Sequence, residues 1–213
     1  MLKSGCSIAV YAGSDEEVAR MLDEVLSISR ISYIRKKDDE WFTEAVSHRL
    51  LASEMVAVGR EGGQIVSVFS YDTFTVGHSH CIYISMGTVS AEKHGNGWAS
   101  TMLRTIGSGY AFAAGRTQNP FVVKARIRAF GNCFPFTVSD DGNKLKLIAS
   151  ECARIIGADG YDEETMVYKN IYGDRSLYDK PYRCAAANHD IQVVMDSLVR
   201  DGSGDAVMVV SEI

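Results

Sequence analysis

With 213 residues, 46% of them hydrophobic and 23% charged, this chain has the composition of a soluble globular domain and is neither a disordered tail nor a stapled miniprotein. It is long enough to bury roughly 70% of the surface it exposes when unfolded. A formal net charge of -5 has the wrong sign for a domain that binds nucleic acid across its whole surface.

Five cysteines (Cys6, Cys81, Cys133, Cys152, Cys184), odd in number and without a C-x-x-C pair, point to free thiols in a reducing compartment and away from a cysteine zinc site. No apolar run approaches the roughly 20 residues that span a bilayer, and the amino end carries no leader pattern. A cytoplasmic protein without membrane association is the expectation.

In chain order, CSIAVYA is a short strand, and Ser14 is the expected cap of a helix whose box is closed by Glu17. Val18, Met21, Leu22, Val25 and Leu26 form its apolar face. A second helix covers Trp41 to Ala52. The run MVAVGREGGQIVSVFSYDTFTV reads as two strands around Glu61-Gly62-Gly63, a hairpin signal, and a third strand covers Cys81 to Val89. From Gly97 the pattern turns helical through Ala113, with Gly115 as the stop. Phe121 to Arg128 alternates apolar and basic residues and is expected as a strand. Lys144 to Ile156 reads as a helix, Thr165 to Tyr172 as a strand, Ile191 to Val199 as a helix and Ala206 to Val210 as a strand. This order gives an α+β, mixed α/β architecture with one central sheet. The whole of 1–213 is expected as a single domain with its core at 6–172. The segment 173–205 is inserted as a lid or an oligomer contact before a final strand at 206–212.

The most informative stretch runs from Ile82 through Ser90-Ala91-Glu92-Lys93-His94-Gly95-Asn96-Gly97-Trp98-Ala99-Ser100 to Leu103, a strand feeding a glycine loop and then a helix. Unpaired amides and the positive end of a helix dipole meet there, which makes an anion site. Gly95 and Gly97 would let a phosphate approach the backbone, and Ala99 would allow close packing at the helix start. The alternative is a plain glycine-rich turn. A P-loop is excluded by the missing Lys-Ser/Thr ending and a dinucleotide fingerprint by the missing third glycine.

In Val89, Ala91-Glu92 and His94-Gly95-Asn96-Gly97-Trp98-Ala99 the sequence resembles the GNAT superfamily of N-acetyltransferases, whose signature is Arg/Gln-x-x-Gly-x-Gly/Ala after a valine at a strand end. The resemblance is good over Met55 to Ala114 and extends to Phe121 through Asn170. It implies a mostly antiparallel twisted sheet of about six or seven strands flanked by helices and splayed at the acyl-CoA site. It implies acetyl-CoA or another acyl-CoA as co-substrate, no metal, and direct transfer of an acetyl group to a primary amine of a small molecule or protein. Pantetheine is expected on Gly87, Thr88 and Val89, and the pyrophosphate on His94, Gly95, Asn96, Gly97, Trp98, Ala99 and Ser100. His94 stands where the family has Arg or Gln. Asn132 is a further expected cofactor contact.

Tyr83 and Ser85 fall where family members place a general base. Neither residue type ionises near neutrality, so a base acting through water is expected, with His78 and His80 as the nearby imidazoles. Family members also carry a tyrosine acid on a later helix, where this chain has Cys152-Ala153-Arg154-Ile155-Ile156-Gly157. Tyr161 is read as a packing residue.

The resemblance places the acceptor beside the stretch from Tyr33 to Phe42, where Tyr33, Asp39 and Trp41 suit a cationic amine through charge and cation–π attraction. A solvated turn with Asp39 as helix cap is the other reading. The segment 173–189, with Tyr178, Tyr182, Arg183 and His189, is a lid or an oligomer contact, and a homodimer is expected. Cys81 and Cys152 read as inert buried thiols. The five histidines lack metal-ligand spacing. Lys124, Arg126 and Arg128 are expected as a basic stripe facing solvent or the CoA phosphates. Two other readings remain: a catalytically silent acyl-CoA sensor, and an enzyme of the same type acting on a macromolecular acceptor, a protein or a modified nucleic-acid base.

Overall fold

The computed structural model describes residues 5–33, 39–157, 159–178, 183 and 189–213. Ile34 to Asp38, Tyr182 and Cys184, which the sequence analysis singled out, lie outside the described residues. Eight strands follow the order β1-β2-β3-β4-β5-β8-β7-β6, a mostly antiparallel sheet in a mixed α/β chain. In sequence they are β1 (Cys6–Ala12), β2 (Met55–Glu61), β3 (Gln64–Val76), β4 (Ser79–Val89), β5 (Phe112–Thr117), β6 (Tyr161–Asp162), β7 (Val167–Tyr168) and β8 (Ala206–Glu212). The count exceeds the expected six or seven because β6 and β7 are only two residues each. The chain divides into two compact units, Met1–Thr73 with Ile84–Ile106, and Phe74–Tyr83 with Gly107–Ile213.

The first unit holds helices α1 (Glu16–Arg20), α2 (Leu22–Ser32), α3 (Glu40–Ala52) and α4 (Trp98–Gly107, through Ile106 in this unit). Asp15, not Ser14, caps α1, its carboxylate accepting from the Glu17 N–H at 2.8 Å. One expected helix becomes two because the chain turns at Met21, whose N–H bonds back to the carbonyls of Glu17 and Val18. The β2–β3 hairpin closes with Glu61 opposite Gln64, as the Gly62-Gly63 turn requires. Gly59 of β2 is where Trp98 at the start of α4 comes closest. A Cβ there would lie 2.7 Å from the indole and 2.4 Å from Ser67 Oγ.

The second unit is built on β8, buried along Ala206 to Ser211, so its AVMVVS run is apolar on both faces. Met208 and Val210 face α6 (Gly142–Ile155), packing with Leu145, Ile148 and Cys152 and with Phe112, Ala114, Tyr83 and Tyr168. Val207 and Val209 face the other way, onto Val123 of α5 (Pro120–Phe130) and Met195 of α7 (His189–Leu198).

Several expectations are corrected here. The helix beginning near Gly97 ends at Gly107, and Phe112 to Thr117 is a strand containing Gly115. Gly107-Ser108-Gly109 is the actual stop, with Gly109 at φ +93°. Phe121 to Arg128 is not a strand but most of α5, begun by an Asn119 cap and Pro120 and ended by left-handed Gly131. The β-branched Val122, Val123 and Ile127 carry strand propensity that the caps and tertiary packing override. The basic stripe dissolves with it. Arg126 is buried and donates to the carbonyls of Ala113 and Ala114, each at 3.0 Å. The strand expected at Thr165 to Tyr172 shrinks to β7.

Cys81, Cys133 and Cys152 are free and buried, while free Cys6 is half-buried. Burial pushes the Cys133 thiol up to about 11, against the nearby Arg126 charge, and burial also raises Cys81. In a thiol-labelling experiment at pH 8, followed by peptide mapping, Cys6 is expected to react before Cys81, Cys133 and Cys152, and Cys133 at least about a hundredfold more slowly than Cys6, since thiolate is the reacting form. Equal rates in the folded protein would contradict this packing.

Candidate active site

β4 delivers its end to the loop that precedes α4, with the 3₁₀ turn Ala91–Lys93 between them. The Ser90 N–H bonds to the Val66 carbonyl at 2.8 Å, anchoring the loop to β3. His94 closes it: its Nε2 lies 3.0 Å from the Val89 carbonyl, and a carbonyl only accepts, so this nitrogen carries the proton. Lys93 is committed to Glu61 at 2.8 Å, and that hydrogen bond raises its affinity for the proton.

Gly95 and Gly97 sit at φ +82° and +85°, left-handed backbone that other residues rarely adopt, and a Cβ at Gly95 would meet nothing within 4 Å. The backbone at Gly95 is open to an approaching group. The Thr101 N–H bonds to the Gly97 carbonyl at 3.0 Å, so the amides of Trp98, Ala99 and Ser100 precede the first rung of the helical ladder. The Ser100 Oγ also donates to Gly97 at 2.9 Å, fixing the turn. A loop of left-handed glycines ahead of first-turn amides that precede the helical ladder is a fit for a pyrophosphate.

On β4 itself, Thr88 and Val89 are buried, and the Gly87 carbonyl accepts a 2.9 Å hydrogen bond from the Tyr33 hydroxyl. Tyr33 leans on Phe42 with ring centroids 5.4 Å apart. Asp39 caps α3, its carboxylate accepting from the Phe42 N–H at 3.0 Å, and Trp41 follows in the first turn, half-buried. Sequence reasoning thus placed Tyr33 near the site but did not foresee its bond to Gly87.

The strand residues considered for proton transfer differ in setting. Ser85 lies in a chain of hydroxyls, 2.9 Å from Ser53 Oγ and 2.7 Å from Ser70 Oγ, and Ser53 donates on to the Arg49 carbonyl at 2.6 Å. Tyr83 is buried in the α6-facing core of the second unit. His80 is exposed near the start of β4, in the second unit. Asn132 follows α5, with no strand as expected around it. Its amide donates to the Phe130 and Glu212 carbonyls and its oxygen accepts from the Glu212 N–H, so it clamps the end of β8.

Residues at the end of β5 escaped the sequence reading because that strand was taken for helix. Gln118 donates to the carbonyls of Ser203 and Asp205 and accepts from the Leu177 N–H and the Ser176 hydroxyl. Asn119 reaches Tyr178 Oη at 3.3 Å. Removing the carboxamide in Gln118→Ala is expected to cost about 1–3 kcal/mol, because several half-buried groups lose their partner together. Hydrogen exchange should accelerate over 172–178 and 203–205 and not in α6. Unchanged exchange would contradict the clasp.

A cavity of about 500 Å³ in the second unit is lined by Lys169, Arg183, Asp196, Arg200, Asp201 and Asp205 among others. Within it Arg183 is bound to both Asp196 and Asp201, and Lys169 lies 3.7 Å from Asp205. Among the described residues, no group of three or more His, Cys, Asp or Glu is placed to hold a metal ion, and no helix is long and apolar enough to cross a membrane.

No protein-family model and no curated protein matches the sequence. Solved structures do match. The chain is similar in fold to acetyltransferases of the GNAT type. A GNAT-family acetyltransferase from Bacillus cereus ATCC 10987 is 17% identical, with a TM-score of 0.42, over 64% of this chain and 91% of that one. A GNAT-family acetyltransferase from Brucella melitensis, solved with acetyl-CoA, is 13% identical with a TM-score of 0.36, over 51% of this chain and 75% of that one. An aminoglycoside acetyltransferase from an uncultured soil metagenomic sample, solved with sisomicin, is 12% identical with a TM-score of 0.38, over 48% and 67%.

Proposed function

We propose that this chain is an N-acetyltransferase that takes an acetyl group from acetyl-CoA and transfers it directly to a primary amine. The observation that carries the reading is the end of β4 running through left-handed Gly95 and Gly97, with open space where a Gly95 Cβ would stand, into the unladdered amides of α4. In this reading the amides of Gly97, Trp98, Ala99 and Ser100 hold the pyrophosphate, with the helix dipole adding to their pull. Gly87, Thr88 and Val89 hold the pantetheine, and Tyr33 shares the Gly87 carbonyl or gives it up. Acetyl-CoA supplies the activated acyl carbon as a thioester. The chain's own contribution is positioning and the exclusion of water, with the amine's proton leaving through solvent because neither serine nor an ordinary phenol on β4 ionises near neutrality.

The absence of a carboxylate or imidazole at Tyr83 and Ser85, the strand positions considered for the base, favours a second reading, a binder of acyl-CoA without turnover. The two separate in one assay: release of CoA thiol from acetyl-CoA, with and without a panel of primary amines. Amine-stimulated release supports the transferase. Binding of acetyl-CoA with no amine-stimulated release would leave the silent binder.

A further inference from the structure

Arg116 stands near the end of β5, opposite Met208 of β8, on the face it shares by alternation with Phe112 and Ala114. That face is the apolar, aromatic core under α6. Its guanidinium lies over the Tyr172 ring, 5.6 Å from the centroid, and its Nε is fully buried with no hydrogen-bond partner among the described residues. It forms no ion pair among them either. Tyr168, completely buried in the same core, has a hydroxyl that also lacks a hydrogen-bond partner among the described residues. Burial works against the charge of Arg116, and the phenols of Tyr83 and Tyr172, the latter also hydrogen-bonded to the guanidinium, work for it with that of Tyr168, the balance falling on the charged side.

A guanidinium drawn into an aromatic core, with no carboxylate partner among the described residues, is costly, and apolar replacements of such groups are often as stable or more so. Its planar fork of donors is the shape that a carboxylate completes. A phosphate dianion would call for more positive charge than the single cation set among these phenols.

We infer that Arg116, with Tyr172 stacked on it and Tyr168 beside it, binds the carboxylate of a small-molecule ligand. The fork takes both carboxylate oxygens, the Tyr172 face supports the cation, and the Tyr168 hydroxyl is a neutral donor in the same core. The site stands on the second unit's own residues. That the carboxylate belongs to the amine acceptor rests on the transferase reading, and it then narrows the acceptor to amino-acid-like molecules.

The test follows the arginine Nε–H signals of the full chain by NMR, without acetyl-CoA, while acetate, acetamide, inorganic phosphate and pyrophosphate are added separately at matched ionic strength. Arg116 is assigned from Arg116→Lys. The expected result is a saturable shift of the Arg116 signal with acetate and none with acetamide. Arg116→Lys, followed by acetate-induced shifts of neighbouring backbone amides, should weaken acetate binding at least tenfold, and Tyr168→Phe should weaken it roughly threefold or more. Arg116→Met should abolish it while raising the melting temperature. Saturation by pyrophosphate and not acetate, or no saturable shift with acetate, would overturn the assignment. So would an Arg116→Met variant that melts lower, because the guanidinium would then be structural. Acetate binding in a protein that fails to bind acetyl-CoA would leave this site standing and remove the transferase reading alone.

Discussion

Ala99→Asp is expected to weaken binding of acetyl-CoA strongly while leaving the fold as stable as the natural chain. Ala99 is the second residue of α4 and only half-buried. A carboxylate in the first turn of a helix interacts favourably with the dipole, by roughly 0.3–1 kcal/mol, so the melting temperature should hold or rise. The same carboxylate stands among the amides proposed for the pyrophosphate, where like charges repel at short range and the dipole's pull is already spent. Affinity should fall at least about tenfold. Gly97→Trp acts by a different route, placing an indole on backbone at a φ of +85° that an L-residue tolerates poorly. It should also lose binding, with some loss of stability. Ala99→Asp binding acetyl-CoA normally would place the phosphates elsewhere.

Gly59→Val should damage the first unit more deeply than any surface change. Its branched side chain would enter space already held by Trp98 and Ser67, where even a Cβ comes within 2.7 and 2.4 Å. Overpacking of this kind costs about 1–3 kcal/mol, and Gly59 also sits beside a register shift in the β2–β3 pairing that leaves little freedom to adjust. The indole must move, and with it the start of α4. The expected result is a lower melting temperature, a changed tryptophan emission spectrum and weakened acetyl-CoA binding together. Trp98→Phe in the Gly59→Val background should restore part of the stability, because the clash is with the outer ring of the indole. Additive losses in the double variant would contradict a direct clash.

The elements that were legible in the sequence are those whose signal is local. The α3 helix with Asp39 as its cap, the Gly62-Gly63 hairpin, the apolar face of α6 and the continuous run of β8 each carry their own pattern. The β4–loop–α4 segment was legible for the same reason, since glycines ahead of an amphipathic helix state their geometry in sequence. What failed depended on tertiary context. FAAGRT has no polar alternation because it is a buried strand, so it merged with the helix before it. The Val-Val and Ile of α5 suggested a strand, although Asn119-Pro120 before it and Gly131 after it mark a helix at both ends. That error hid the end of β5, and with it Arg116, Gln118 and Asn119. The alternation of Lys124, Arg126 and Arg128 suggested a solvent-facing stripe, whereas helical spacing turns Arg126 inward to the carbonyls of Ala113 and Ala114. Tyr33 was legible as an aromatic near the site, but its bond to Gly87 spans 54 residues of sequence and no local pattern encodes it.

The measurement that bears most directly on the central claim is a calorimetric titration of acetyl-CoA into the folded natural chain, with adenosine 3′,5′-bisphosphate and pantetheine titrated separately. The account predicts saturable one-to-one binding of acetyl-CoA at micromolar concentrations and much weaker binding of each fragment, because the glycine loop and the β4 edge hold different parts of one molecule. No heat of binding for acetyl-CoA, with the protein shown to be folded by its cooperative thermal transition, would contradict the acetyltransferase reading and leave only a likeness of fold.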